Sequence, residues 1–92
     1  MFTWLNKQGV RSDFGFELQF TGRFSAEYKE GSQVVKLYVE DGLCAGIPCI
    51  LVEPKAFERW DNGVLIPPEQ REQMFQNLKE ALEFQGLKMS VE

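Results

Sequence analysis

Residues 67–86 read PPEQREQMFQNLKEALEFQG, the one stretch in which both ends and one face of a helix are written out. Pro67 and Pro68 mark the start, because a fixed φ and a missing N–H are tolerated only in a first helical turn. Glu69 and Glu72 follow where free N–H groups and the positive end of the dipole favour negative charge. Met74, Phe75, Leu78, Ala81 and Leu82 recur at helical spacing and make one apolar stripe, while Gln73, Gln76, Glu80 and Glu83 take the opposite side. Gly86 predicts a left-handed cap, with Leu87 folding back on Leu82. Phe84 projects away from the centre of the stripe, where it either packs on a neighbouring loop or meets a partner.

An amphipathic helix needs a surface to cover, and the chain before it supplies a sheet. Residues 2–5, Phe-Thr-Trp-Leu, read as a short strand or an arm on the core, and Asn6 to Asp13 as a loop around Gly9. Phe14, Phe16, Leu18 and Phe20 then alternate with Glu17, Gln19 and Thr21, the pattern of a half-buried strand. After Gly22, Phe24, Ala26 and Tyr28 alternate in a second strand. Gly31-Ser32 makes a two-residue hairpin, and Val35, Leu37 and Val39 a third strand. Asp41-Gly42 is the strongest hairpin dipeptide of the chain and predicts the next reversal. Beyond it, Leu43 to Gly46 reads as a short strand and Gly46-Ile47-Pro48 as a bend. Cys49-Ile50-Leu51-Val52, apolar on both faces, predicts a deeply buried strand. Pro54 to Trp60 predicts one or two helical turns, with Phe57 and Trp60 on one side. Leu87, Met89 and Val91 alternate in a last strand after the helix.

The expected architecture is therefore one α+β domain over residues 1–92. It is a mostly antiparallel sheet of five or six strands, begun by an N-terminal meander and covered on one face by the long helix. Ninety-two residues suffice for a core without disulfide staples. Cys44 and Cys49, five apart on extended chain, would lie about 16 Å from each other, well beyond disulfide reach. Only a sharp reversal at Gly46-Ile47-Pro48 would join them, so buried reduced thiols are expected.

Charge and motif content narrow the function. The chain carries 14 Asp and Glu against 10 Lys and Arg, and the outward sheet face is mixed in sign, so it lacks the basic stripe of a nucleic-acid binder. No apolar run is long enough to span a membrane, and the N-terminus shows no signal-peptide pattern, which makes a cytoplasmic location the expectation. Histidine is absent, so neither Cys/His zinc spacing nor a histidine-activated nucleophile is available. No phosphate-cradling glycine loop and no oxygen-ligand metal loop occurs. Glu53, Glu58 and Asp61 near Trp60 read as caps, turn residues and solvated charge rather than an acid–base pair. No enzyme activity, metal or cofactor is expected.

What remains is recognition. Phe57, Arg59, Trp60 and Asp61, with Trp4 in the N-terminal arm and Phe84, form the candidate partner-binding set, since tryptophan and arginine with flanking acids are typical hot-spot material. Trp60 has a second reading, as a plug between the helix and the sheet edge. An exposed sheet edge also permits a two-fold homodimer.

Residues 48–92 carry a further pattern: the aliphatic strand Ile50-Leu51-Val52, a short polar segment ending in Trp60-Asp61, a proline-containing lead-in with Glu69, the helix, and a strand from Leu87 to Val91. This resembles a family of small α+β immunity proteins encoded beside bacterial polymorphic toxins, a family that grades into orphan proteins of mobile gene cassettes. The resemblance implies stoichiometric binding and neutralisation of a toxin domain, with Trp60 and Asp61 as the candidates. Two functional expectations follow. The first is a non-catalytic protein-binding module, such as an immunity or accessory protein. The alternative is a small-ligand binding module holding its ligand in a concave apolar pocket between sheet and helix.

Overall fold

A computed structural model describes residues 1–91. Seven strands form one continuous sheet in chain order: β1 (Phe2–Asn6), β2 (Gly9–Ser12), β3 (Phe16–Gly22), β4 (Ser25–Glu30), β5 (Gln33–Cys44), β6 (Ile47–Val52) and, after helix α1 (Pro68–Phe84), β7 (Lys88–Val91). All neighbouring pairs are antiparallel except β6–β7, which is parallel because α1 returns the chain to the same end. The α+β class, the antiparallel meander and the final strand agree with the sequence reading, and the strand count is higher than expected. The extra strand is β2, in the segment assigned to a loop. Its four residues include a glycine and two polar side chains, yet Gly9, Val10 and Ser12 are buried.

The strand β5 is the hinge of the architecture. Its first half, Gln33–Tyr38, pairs with β4, and its second half, Val39–Cys44, pairs with β6. Twelve residues of continuous strand thus carry the chain from one group of strands to the other. Asp41-Gly42, expected to turn, lies mid-strand opposite Ile50 and Cys49. The reversal comes at Ala45-Gly46, with φ of 54° and 81°. Two consecutive left-handed residues make the type I′ geometry that matches the twist of a hairpin. Gly42 has another duty. A Cβ there would lie 3.1 Å from the Leu51 side chain, so its absence lets Leu51 lie across the strand.

That two-residue turn also overturns the cysteine expectation. It brings Cys44 and Cys49 to a Cα–Cα distance of 5.9 Å, and they form a disulfide. Cysteines five apart lie out of reach only on extended chain; the tight turn folds that chain back within bridging range. The predicted helical turns at 54–60 are likewise replaced by non-helical turns, closed by Ala56 N–H to Glu53 O and Glu58 N–H to Lys55 O.

Helix α1 packs its stripe into the core: Met74, Leu78, Ala81 and Leu82 are buried and Phe75 is half-buried. Burial of each of the larger side chains stabilises the fold by about 1.5–3 kcal/mol. Pro68 occupies the first turn, and Arg71 ties the lead-in by donating its Nε–H to Ile66 O at 2.8 Å. At the other end Gly86 (φ 83°) lets its N–H reach Glu83 O and the Leu87 N–H reach Leu82 O, a Schellman cap. Asn77 also sits within the stripe and is buried. Its Nδ2 donates to Tyr28 Oη at 2.9 Å, and its Oδ1 accepts from Gln73 Nε2 at 2.8 Å. This polar tie fixes the helix against β4. Phe16 and Tyr28 stack at 5.4 Å, and Phe57 sets its edge on Tyr28. Phe14 and Phe24, expected on the core face, are exposed because both fall in turns, before β3 and between β3 and β4.

Candidate functional site

The six residues singled out as recognition candidates separate into three places. Phe57 is fully buried and Trp60 is 4% exposed, so both belong to the core and present nothing to a partner. The Trp60 N–H bonds Val64 O, and the next residue's N–H bonds Val34 O of β5 at 2.8 Å, stitching the 53–66 segment to the sheet. Arg59 and Asp61 stay exposed on that segment. Arg59 Nη1 donates to Gly63 O at 3.0 Å, and both residues line a shallow polar hollow with Lys36, Lys55 and Glu58. Trp4 and Phe84 are brought together elsewhere. Their rings lie 5.5 Å apart, and Phe84 also meets Phe2 at 5.4 Å, so β1 is fastened to the end of α1 by an aromatic run. Phe84 packs on strand β1 rather than on a loop, and it and Trp4 keep roughly half their surface.

One concavity was not anticipated. A groove of about 700 Å³ lies where β5 passes from β4 to β6, walled by Phe24 from the β3–β4 turn and by Tyr38 and Leu51 from the outer face of the hairpin. Tyr38 is 74% exposed and Phe24 53%, high values for aromatic side chains. Arg23 lies over the Phe24 ring at 5.2 Å, a cation–π contact that holds the ring at the turn. Glu40 and Glu53 line the same groove, so its apolar lining is rimmed by carboxylates. Neither makes an ion pair among the described residues. Strand alternation explains the arrangement. Tyr38, Glu40 and Leu51 point away from the core because Val39, Ile50 and Val52 point into it. The disulfide lies beyond Leu51 and fixes the hairpin that carries one wall of the groove.

The signal for this site was present in part. In the sequence Tyr38 and Glu40 alternate with the apolar Leu37 and Val39 and so read as outward, whereas Phe24 reads as core and Leu51 as part of a strand buried on both faces. Burial pushes the hydroxyl of Tyr28 well above the usual phenol range, with the charge of Glu30 adding to it against the Asn77 hydrogen bond. That hydroxyl belongs to the core tie and not to the groove. No group of three His, Cys, Asp or Glu side chains among the described residues is placed to hold a metal, and none of their helices is long and apolar enough to cross a membrane. No protein-family model matches the chain, and no curated protein or solved structure matches it either.

Proposed function

We propose that the chain is a non-catalytic protein-binding module, and that it binds through the groove between the β3–β4 turn and the outer face of the β5–β6 hairpin. The observation that carries this reading is the pairing of exposed rings, Phe24 and Tyr38, with two unpaired carboxylates, Glu40 and Glu53, around one concavity. Apolar anchors inside a charged rim are the anatomy of a recognition surface. The chain's net charge of −4 adds long-range attraction for a basic partner. The occupant that fits is a partner segment presenting an aromatic or aliphatic side chain flanked by Lys or Arg. A small ligand in the groove is the weaker reading, because the space is a wide surface trough rather than an enclosure between sheet and helix.

The resemblance to immunity proteins of polymorphic toxin systems fits the same mode of action, stoichiometric blocking of a toxin domain. The docking residues then shift from Trp60 to Tyr38, Leu51 and their rim. The disulfide bears on where this happens. Such bonds persist in oxidising surroundings, which favours an oxidising compartment over the cytoplasm expected from the N-terminus.

Selection of a displayed random-peptide library on the immobilised protein tests the reading without knowing the partner. Enriched peptides should place Lys or Arg around one apolar side chain, and their affinity should fall with ionic strength. Tyr38→Ala and Leu51→Ala should each weaken them at least about tenfold. Enrichment of acidic peptides, or binding indifferent to both substitutions, would overturn it.

A further inference from the structure

A sheet ordered β1 to β7 leaves those two strands as its free edges, and they are built differently. β7 opens on Lys88, a charge of the kind that keeps an edge from pairing. β1, Phe-Thr-Trp-Leu-Asn, has no charged residue and no proline. Apolar surface gathers along it. Trp4 and Leu5 are exposed on the strand, and Phe84 against it is only partly covered. Met1 and Phe14, both largely exposed, stand at its first end, where the Asp13 N–H bonds Met1 O. Monomers seldom leave so apolar a strand edge bare, because its backbone groups are a template for further pairing.

Two neighbouring bonds fix which way the β1 backbone groups point. The β1–β2 register, continued by one residue, sets Met1 opposite Asp13, so the bond from Asp13 N–H to Met1 O makes theirs a hydrogen-bonded pair of the ladder. Alternation makes Thr3 and Arg11 the next such pair, and turns the N–H and C=O of Phe2 and Trp4 to the open side. The bond from Phe20 N–H to Gln8 O gives the same phase from the far side of β2. It sends the groups of Val10 to β3 and those of Arg11 to β1. Among the described residues none takes up the Phe2 and Trp4 groups.

We infer that the occupant of this edge is a second copy of the chain, in a two-fold homodimer paired β1 to β1 and centred on Thr3. Antiparallel copies about that axis set Phe2 of each opposite Trp4 of the other, and each such pair exchanges two N–H···O bonds. The axis stands perpendicular to the sheet and keeps both core faces on one side. The Phe2 and Trp4 rings then meet across the seam, with Phe84, which touches both, beside the axis. Thr3 meets its own copy on the outer face, a favourable cross-strand pair. β1 bears no charge, so the pairing sets no like charges of that strand together. The docking groove lies away from β1, at the β3–β4 turn and the β5–β6 hairpin, so either assignment survives failure of the other.

The test is sedimentation equilibrium of the full chain from micromolar to millimolar concentration, with amide hydrogen exchange at both limits. One strand pair with an aromatic flank should give a dimer dissociating on the order of 10 μM. The Phe2 and Trp4 amides should exchange about tenfold or more slowly at the high limit, and the Thr3 amide, already bonded to β2, should change least. Thr3→Lys and Thr3→Asp each set like charges opposite one another across the axis. Either alone should weaken dimerisation about tenfold or more, and an equimolar mixture of the two should recover a heterodimer. Thr3 is exposed, so both variants should melt like the parent, and the exchange measurement needs no variant. A chain monomeric at millimolar concentration, a dimer whose Phe2 and Trp4 amides stay unprotected, or single variants as dimeric as the parent would each overturn the assignment.

Discussion

Reduction of the Cys44–Cys49 bridge is the perturbation whose size follows most simply from the structure. The bond joins residues five apart across the Ala45-Gly46 turn. Chain entropy released to the unfolded state by opening so small a loop amounts to about 2 kcal/mol. For a domain of this size that corresponds to a fall in Tm of about 8–16 °C. The comparison is thermal unfolding of the native chain with and without a phosphine reductant, beside the Cys44→Ala/Cys49→Ala variant. Alanine is used because Cys49 is buried and serine would add an unpaired hydroxyl. Thiol titration in denaturant must return no free thiol before reduction and two after it. Hydrogen exchange should show the loss of protection concentrated in residues 42–49, with the α1 amides least affected. Two free thiols in the untreated oxidised preparation would refute the bridge. A Tm shift below about 2 °C after complete reduction would refute the loop-entropy reasoning, because the hairpin would then open independently of the body.

Three other outcomes are expected. Ala45→Asn, at a non-glycine residue held at φ 54°, should raise stability by about 1 kcal/mol, read as a higher denaturant midpoint. Trp60→Ala should cost about 3–5 kcal/mol, so a loss of binding in that variant would report unfolding, which calorimetry will reveal. For Tyr28 the raised folded-state pKa means that the unfolded chain releases this proton first as pH rises. Its contribution is complete below the ordinary tyrosine pKa and is lost at about 1.4 kcal/mol per unit above about pH 10. Alkaline melting curves of the parent should therefore fall more steeply than those of Tyr28→Phe, and parallel curves would contradict the assignment.

The helix was legible because its signals agree. The stripe from Met74 to Leu82, the paired prolines and the Gly86 cap each point to the same element, and all three appear in the structure. The hairpin arm was not legible, because its local signals point the wrong way. Asp41-Gly42 has the better turn chemistry, but a turn there would break the pairing of Val39–Cys44 with β6. Ala45-Gly46 is the poorer turn by sequence and is held by that ladder and by the disulfide. A hairpin ladder outweighs a turn preference of about 1 kcal/mol, which is why the register was lost together with the cysteine pairing. The site failed for a related reason. Trp60 has the composition of a hot spot, but a lone tryptophan in a segment without periodicity carries no sign of which way it points. Asn77 did carry one, since it falls inside the apolar stripe at helical spacing, and a polar residue there announces a buried partner.

The proposed function has the acid-rimmed groove taking a basic, apolar segment of a partner protein. Its most direct test is amide chemical-shift mapping of the labelled chain with the tightest basic–apolar peptide recovered from display. Shifts are expected only at residues 23–24, 38–41 and 51–53, and are abolished in Tyr38→Ala with the fold intact. Shifts centred on residues 59–63, or a bound peptide that leaves residues 38–41 unmoved, would contradict it.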